Sequence, residues 1–206
     1  MAEYYMFNKP SGCITARNDP RHKTVMDYFP SEKRDILFPV GRLDKDTEGL
    51  LLVTDDGALC ASLLNPECNT PKTYFFYALG TLAEEVRKEI EEGIKLYPTK
   101  DVMSKPATVE IFGSTDLGSI KEHLSPADLK KANRKPETPV FFGRVTVTEG
   151  KKHQVKRMLM FGGCRIVYLK RLSMAALTLD ESLPTGSYRP LTEDEIKGLL
   201  YLGITE

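Results

Sequence analysis

Val40-Gly41-Arg42-Leu43-Asp44-Lys45-Asp46-Thr47-Glu48-Gly49-Leu50-Leu51-Leu52-Val53-Thr54-Asp55-Asp56-Gly57 places a carboxylate-rich polar loop between apolar runs. Leu50 to Val53 is too short for a helix, and its unbroken apolar character predicts a strand buried on both faces. Asp55-Asp56-Gly57 supplies turn chemistry and a start for a helix over Ala58 to Leu64. Asp44 therefore sits on a loop between core elements, where a rigid scaffold can present a reactive group. The residues by themselves leave Asp44 open to two readings, a site carboxylate or an ordinary loop acid.

A chain of 206 residues can bury a sizeable core in one or two compact domains. With 41% hydrophobic and 28% charged residues it has an ordinary globular composition. No apolar run is long enough to cross a bilayer and the first residues lack a signal-peptide pattern, so a cytoplasmic protein with no membrane partner is expected. Cys13, Cys60, Cys68 and Cys164 show neither Cys-x-x-Cys pairing nor a nearby histidine, and His22, His123 and His153 are scattered. No metal site and no disulfide framework are predicted.

The formal net charge is zero, which taken globally argues against a nucleic-acid binder. Its distribution argues the other way. Lys151, Lys152, Lys156, Arg157, Arg165, Lys170 and Arg171 follow one another with no acid between Gly150 and Arg171, whereas Leu82 to Glu92 is acid-rich. Local asymmetry of this kind makes an electrostatic footprint.

Along the chain, Glu3 to Asn8 reads as an aromatic-rich first strand broken by Lys9-Pro10-Ser11-Gly12. Thr24 is placed to cap a short helix that Pro30 stops, and Asn65-Pro66 closes the helix after Asp56. Pro71 to Leu79 is a strand, and Thr81 with Glu84 has capping-box spacing for a helix with Val86, Ile90 and Ile94 on its apolar face. Lys105 to Phe112 is another strand. Residues 113–139 read as a polar surface insertion with a short helix starting at Ser125-Pro126. Val140 to Thr148 alternates as a half-buried strand, and Val155, Met158, Leu159 and Gly162 mark a helix face. Arg165 to Leu169 and Leu172 to Leu179 are strands. The pattern is mixed α+β, without alternating βαβ units.

Three ordered motifs resemble those of the RsuA-type pseudouridine synthases. They are Gly41-Arg42-Leu43-Asp44-x-x-Thr47-x-Gly49-Leu50-Leu51-Leu52, the Lys72-x-Tyr74 strand, and Glu149-Gly150-x-x-His153-Gln154-Val155-Lys156-Arg157-Met158. Lys9-Pro10-x-Gly12 and Tyr188 to Ile196 resemble the opening and closing segments, the latter implying that Thr192 caps a last helix, so the likeness spans nearly the whole chain outside 113–139. It implies the pseudouridine synthase fold, a mainly antiparallel mixed sheet in two subdomains with an active-site cleft along it. Residues 1–206 would form this one catalytic domain, without the N-terminal S4 RNA-binding domain that many members carry.

The resemblance also implies roles. Asp44 is the catalytic carboxylate, Tyr74 stacks on the target base and takes the proton lost at carbon, and Lys156 keeps the carboxylate ionised. Taken alone, Tyr74 would be a sheet-face residue and Lys156 a surface helix lysine. The reaction breaks a C–N glycosidic bond, rotates the uracil and rejoins it through carbon. Asp44 can attack the sugar or remove a sugar proton, and both routes stay open. A uridine in structured RNA must be flipped out to react. Arg42, expected on the same strand as Asp44, would fill the vacated stack, while Lys72, Lys151, Lys152, His153, Gln154 and Arg157 would bind RNA. The expectation is that Lys152 and Lys156 share one helix face and His153 and Arg157 the next. A redox-neutral isomerisation calls for no metal and no cofactor.

The expected partner is ribosomal RNA or a ribosomal particle, acted on by a monomer. Lys156 within His-Gln-Val-Lys-Arg-Met is closest to members acting on small-subunit RNA. The alternatives are a synthase for large-subunit RNA and a non-catalytic ribosome-assembly factor that retains the fold. A nucleoside hydrolase would want a second acid, for which Asp46 and Glu48 are more simply solvated.

Overall fold

A computed structural model describes residues 2–124 and 135–202. The chain forms two compact units, one of Met1–Lys72 with Lys170–Glu206 and one of Thr73–Leu169. The protein is mixed α+β, with few helices against mainly antiparallel strands.

In the first unit, strand β1 (Tyr4–Lys9) lies between β11 (Tyr188–Pro190) and β3 (Glu48–Thr54), antiparallel to both. The two-residue β2 (Phe38–Pro39) pairs with the end of β3. β9 (Arg165–Met174) enters this unit at Lys170, runs parallel to β3 with Gly49 opposite Arg171, and then turns to pair with β10 (Leu177–Thr178). Helices α1 (Ser31–Arg34), α2 (Gly57–Leu64) and α5 (Glu193–Leu202) complete the unit.

β3 is the central strand that its sequence predicts, with Leu50 to Val53 all buried. Leu50 and Leu52 meet Met6, Leu59, Leu63, Met174 and Leu199 in one apolar core. The opposite face of β1 carries Tyr5 and Phe7, which pack edge-on or tilted against Phe29, Tyr28 and Tyr188. A fully buried leucine or phenylalanine contributes about 1.5–3 kcal/mol, so β3 is held from both faces. The Asp56 carboxylate accepts the Leu59 amide at 2.9 Å and caps α2 as expected. Thr192 and Glu195 form a reciprocal capping box at the start of α5.

The second unit contains β4 (Lys72–Leu79) from Thr73 onward, α3 (Glu84–Glu92), β5 (Lys95–Tyr97), β6 (Lys100–Met103), β7 (Ala107–Asp116), β8 (Pro139–Val147), α4 (Gln154–Phe161) and β9 as far as Leu169. Its strand order is β9-β4-β8-β7, and β5 and β6 form a separate hairpin. Phe76, Ala78, Val145 and Val147 meet Ile90, Val155, Met158 and Leu159 in its core.

The structure departs from the sequence reading at several points. The acid-rich helix begins at Glu84 with Ala83 as its cap, so Thr81 caps nothing. Glu84 is held by Arg87 one turn on and does not reach back to Thr81. β7 continues to Asp116, past the expected end at Phe112, because a bulge between Ile111 and Gly113 keeps its pairing with β8. Leu117, Ile120 and Leu124 then pack on Leu79 and Val140, so the start of the 113–139 stretch is core and not surface. The helix expected from Ser125 lies outside the described residues. The two expected strands over Arg165 to Leu179 are one ten-residue strand and the short β10.

Gly49 has φ +98°, and a Cβ added there would lie 2.2 Å from the Arg171 carbonyl oxygen. Gly57 begins α2 with open space around it. Gly49→Ala is therefore expected to lower unfolding stability by about 2 kcal/mol or more, whereas Gly57→Ala leaves it level or raises it by up to about 1 kcal/mol. Denaturant midpoints of the two variants check this, and equal midpoints would contradict the close approach of β3 and β9 at Gly49.

Candidate active site

The loop from Gly41 to Thr47 is built around one buried cation. Lys9, the last residue of β1, is 0% exposed. Its ammonium donates to the carbonyls of Pro10 at 3.0 Å, Lys45 at 3.3 Å and Thr47 at 2.9 Å. Burying a bare ammonium would cost several kcal/mol, and these three carbonyls replace its water shell. Burial holds the Lys9 pKa below its ordinary value, and the nearby carboxylates of Asp46, Glu48 and Asp44 offset only part of that.

The remaining loop bonds leave little slack. The Thr15 hydroxyl donates to the Leu43 carbonyl at 2.8 Å and accepts the Leu43 amide at 3.1 Å. The Gly12 amide donates to the Lys45 carbonyl at 2.8 Å, and the Thr47 amide closes the turn onto the Asp44 carbonyl at 3.1 Å. Gly41, at φ +73°, makes the bend into the loop. Asp44 is half-buried at the start of this turn and Arg42 is exposed. Both lie on the loop, which corrects the expectation that Arg42 shares a strand with Asp44.

Lys72 and Tyr74 are alternate residues of β4 and so share a strand face. Tyr74 is half-buried, packed on the core that Phe76 and Ala78 enter. Lys72 is buried and its ammonium donates to the Thr70 carbonyl at 2.8 Å. An ammonium so enclosed helps to hold the backbone of the turn before β4.

The third motif forms a turn and a helix start around a buried anion. Glu149 is 7% exposed and accepts the Lys105 amide at 2.8 Å and the Gln154 side-chain amide at 2.7 Å. Lys151 pairs with its other oxygen, and the Gln154 carbonyl oxygen accepts the Lys151 backbone amide at 3.0 Å. Gln154, 5% exposed, thus spends both ends of its side-chain amide inside this network and positions the turn. His153 adopts φ +54°, a left-handed conformation costly for a non-glycine residue, and α4 begins after it. Lys152 and His153 are therefore on the turn and not on the helix faces expected for them. Lys156 is half-buried in the first turn of α4, and the Arg157 guanidinium lies 4.0 Å from the centre of the Tyr97 ring.

The first unit thus holds Arg42, Asp44 and Lys72, and the second holds Tyr74 and the residues from Lys151 to Arg157. Sequence reasoning quoted Lys9 and Glu149 within motifs but gave neither a role. Their signals were a lysine ending an aromatic strand and a lone acid opening a basic stretch. Among the described residues no group of three or more His, Cys, Asp or Glu side chains is arranged to hold a metal, and no helix is long and apolar enough to cross a membrane.

Residues 3–160 match the family described as RNA pseudouridylate synthase, and the chain belongs to that family. It is accordingly a pseudouridine synthase, an isomerase. A Bacillus subtilis protein described as the uncharacterized RNA pseudouridine synthase YtzG is 41% identical over 194 residues, covering 94% of this chain and 71% of the relative. Ribosomal small subunit pseudouridine synthase A of Escherichia coli is 34% identical over 197 residues, covering 96% of this chain and 74% of the relative. A crystal structure of a pseudouridylate synthase superposes with a TM-score of 0.78 at 33% identity, covering 97% of this chain and 74% of the other.

Lys9→Met keeps the side chain's length but strands three buried carbonyls. It is expected to lower unfolding stability by about 3 kcal/mol and to reduce turnover of RNA substrate in the fraction that stays folded. Unaltered stability by denaturant titration, together with parental turnover, would show that the ammonium does not organise the Asp44 loop.

Proposed function

We propose that this synthase isomerises a specific uridine of small-subunit ribosomal RNA to pseudouridine, with Asp44 as its catalytic carboxylate. The observation that carries the reading is the position of Asp44, half-buried on a loop whose backbone is fixed by Lys9 and Thr15. The description of the Escherichia coli and Salmonella typhimurium relatives as small-subunit enzymes supports the substrate.

In this reading the C1′–N1 bond breaks with help from the Asp44 carboxylate, either as nucleophile at the sugar or as base toward it. The freed uracil turns, and its C5 bonds to C1′. As C5 bonds to C1′, the Asp44 carboxylate leaves C1′ on the first route or returns the proton to the sugar on the second. The Tyr74 phenol oxygen then takes the C5 proton as its own O–H proton passes to solvent, and solvent returns one at N1, so atoms and charge balance with no redox change. Fixing the carboxylate backbone before substrate arrives removes an ordering cost from the chemical step. Lys156 supplies the cation that an ionised carboxylate requires away from water.

Arg42, exposed beside Asp44, takes the stack space left by the flipped base. Lys151, Lys152, His153 and Arg157 meet backbone phosphates, and the buried Gln154 and Lys72 shape the segments that carry the site residues. The enzyme acts as a monomer in the cytoplasm, where ribosomal RNA is its partner.

Asp44→Asn is nearly isosteric and removes the charge while keeping the loop. Product from small-subunit ribosomal RNA is expected to vanish, while affinity for that RNA stays within a few-fold of the parent. Turnover at the parental rate in Asp44→Asn would remove Asp44 from the chemistry.

A further inference from the structure

The hairpin of β5 and β6 has no part in the roles above, yet it meets the basic turn directly. Leu96 is buried in the core of the second unit, and Ile94 and Ser104 bond each other across the hairpin base, which fixes it there. Tyr97, at the end of β5, is opposite Lys100. The Tyr97 hydroxyl donates to the Lys152 carbonyl at 3.4 Å, and Arg157 Nε donates to the same carbonyl at 3.2 Å. The Arg157 guanidinium lies 4.0 Å from the Tyr97 ring centre, and Lys100 Nζ lies 5.9 Å from it.

One ring thus collects two cations and anchors the backbone of a third cationic residue. Like charges gathered this closely repel, and such clusters are ordinarily relieved by carboxylates. Among the described residues, none of Lys100, Lys152 and Arg157 has a carboxylate partner, because Glu149 is taken by Lys151 and Asp101 faces Lys95 at 3.7 Å. Arg157 uses Nε alone for hydrogen bonding, so the paired donors at the end of its guanidinium remain open. A flat guanidinium backed by an aromatic ring, with ammonium groups beside it, is suited to a phosphate.

We propose that the β5–β6 hairpin carries a phosphate-binding site, in which Lys100 and Arg157 flank Tyr97 beside Lys152 and take a backbone phosphate of the RNA substrate. The inference rests on the RNA-modifying reading above and extends the binding surface to two residues, Tyr97 and Lys100, that no sequence motif marks. Tyr97 is a positioning residue: its ring orients Arg157, and its hydroxyl holds the Lys152 carbonyl of a turn already strained at His153.

The test is binding of a small-subunit ribosomal RNA transcript across a series of salt concentrations. Each lost phosphate contact flattens the plot of log affinity against log salt by about 0.7 for single-stranded RNA. Lys100→Ala should lose about one such contact, Lys100→Arg should restore it, and Tyr97→Ala should lose more than Lys100→Ala. Lys197→Ala, at an exposed lysine of α5 within reach of Glu193 and Asp194, should match the parent. Because Lys100 is exposed, its variants answer the question even where Tyr97→Ala disturbs the fold. Parental slopes for Lys100→Ala with RNA binding intact would overturn the hairpin site and leave the RNA reading standing. A parent protein without salt-dependent binding of the transcript would overturn both.

Discussion

A lysine ammonium withdrawn from water has to be solvated by something else, and at Lys9 that something is the backbone around Asp44. The Lys45 and Thr47 carbonyls can satisfy the charge only while the turn between them keeps its shape. Distorting the turn leaves a buried cation short of acceptors, a penalty large beside the whole stability of a domain. The constraint runs in both directions. Lys9 stands opposite Gly49 in the β1–β3 ladder, so the cage also pins the start of β3. Gly49 in turn permits the close approach of the Arg171 backbone, and the Arg171 side chain donates to the Leu50 carbonyl at 2.8 Å.

The second unit uses the same device with opposite sign. Glu149 is a buried anion solvated by a backbone amide, a side-chain amide and a lysine. Its network fixes the turn that exposes Lys152 and His153 and starts α4 ahead of Lys156. The left-handed His153 is tolerated because Glu149 and Gln154 hold the turn on one side and Tyr97 with Arg157 hold it on the other. In each unit a charge taken out of water disciplines a polar loop that would otherwise wander. A reaction that detaches a base, turns it and rejoins it benefits from fixed groups, since misplacement of an ångström can cost a hundred-fold in rate.

How far the sequence alone reached depended on the range of the interactions involved. β3 was legible because a run of buried aliphatic residues can serve little else, α2 because its cap is local, and α5 through the resemblance of its closing segment. The α3 boundary was misread because capping-box spacing says nothing of a rival partner, and Arg87 claimed Glu84. The burial of Lys72 and Gln154 is a tertiary fact that their motifs do not carry. The extension of β7 depended on its pairing with β8, and the β5–β6 hairpin on Leu96 entering a core assembled from distant segments. Asp44 was found through its motif, but the reason it is held in place lies more than thirty residues earlier, in Lys9.

The most direct test of the account is to incubate the protein with unmodified small- and large-subunit ribosomal RNA, free and in particles, and map pseudouridine along each strand. A single new pseudouridine in the small-subunit RNA is the expected result. A site confined to large-subunit RNA, or no site on any of these RNAs, would contradict the proposed function.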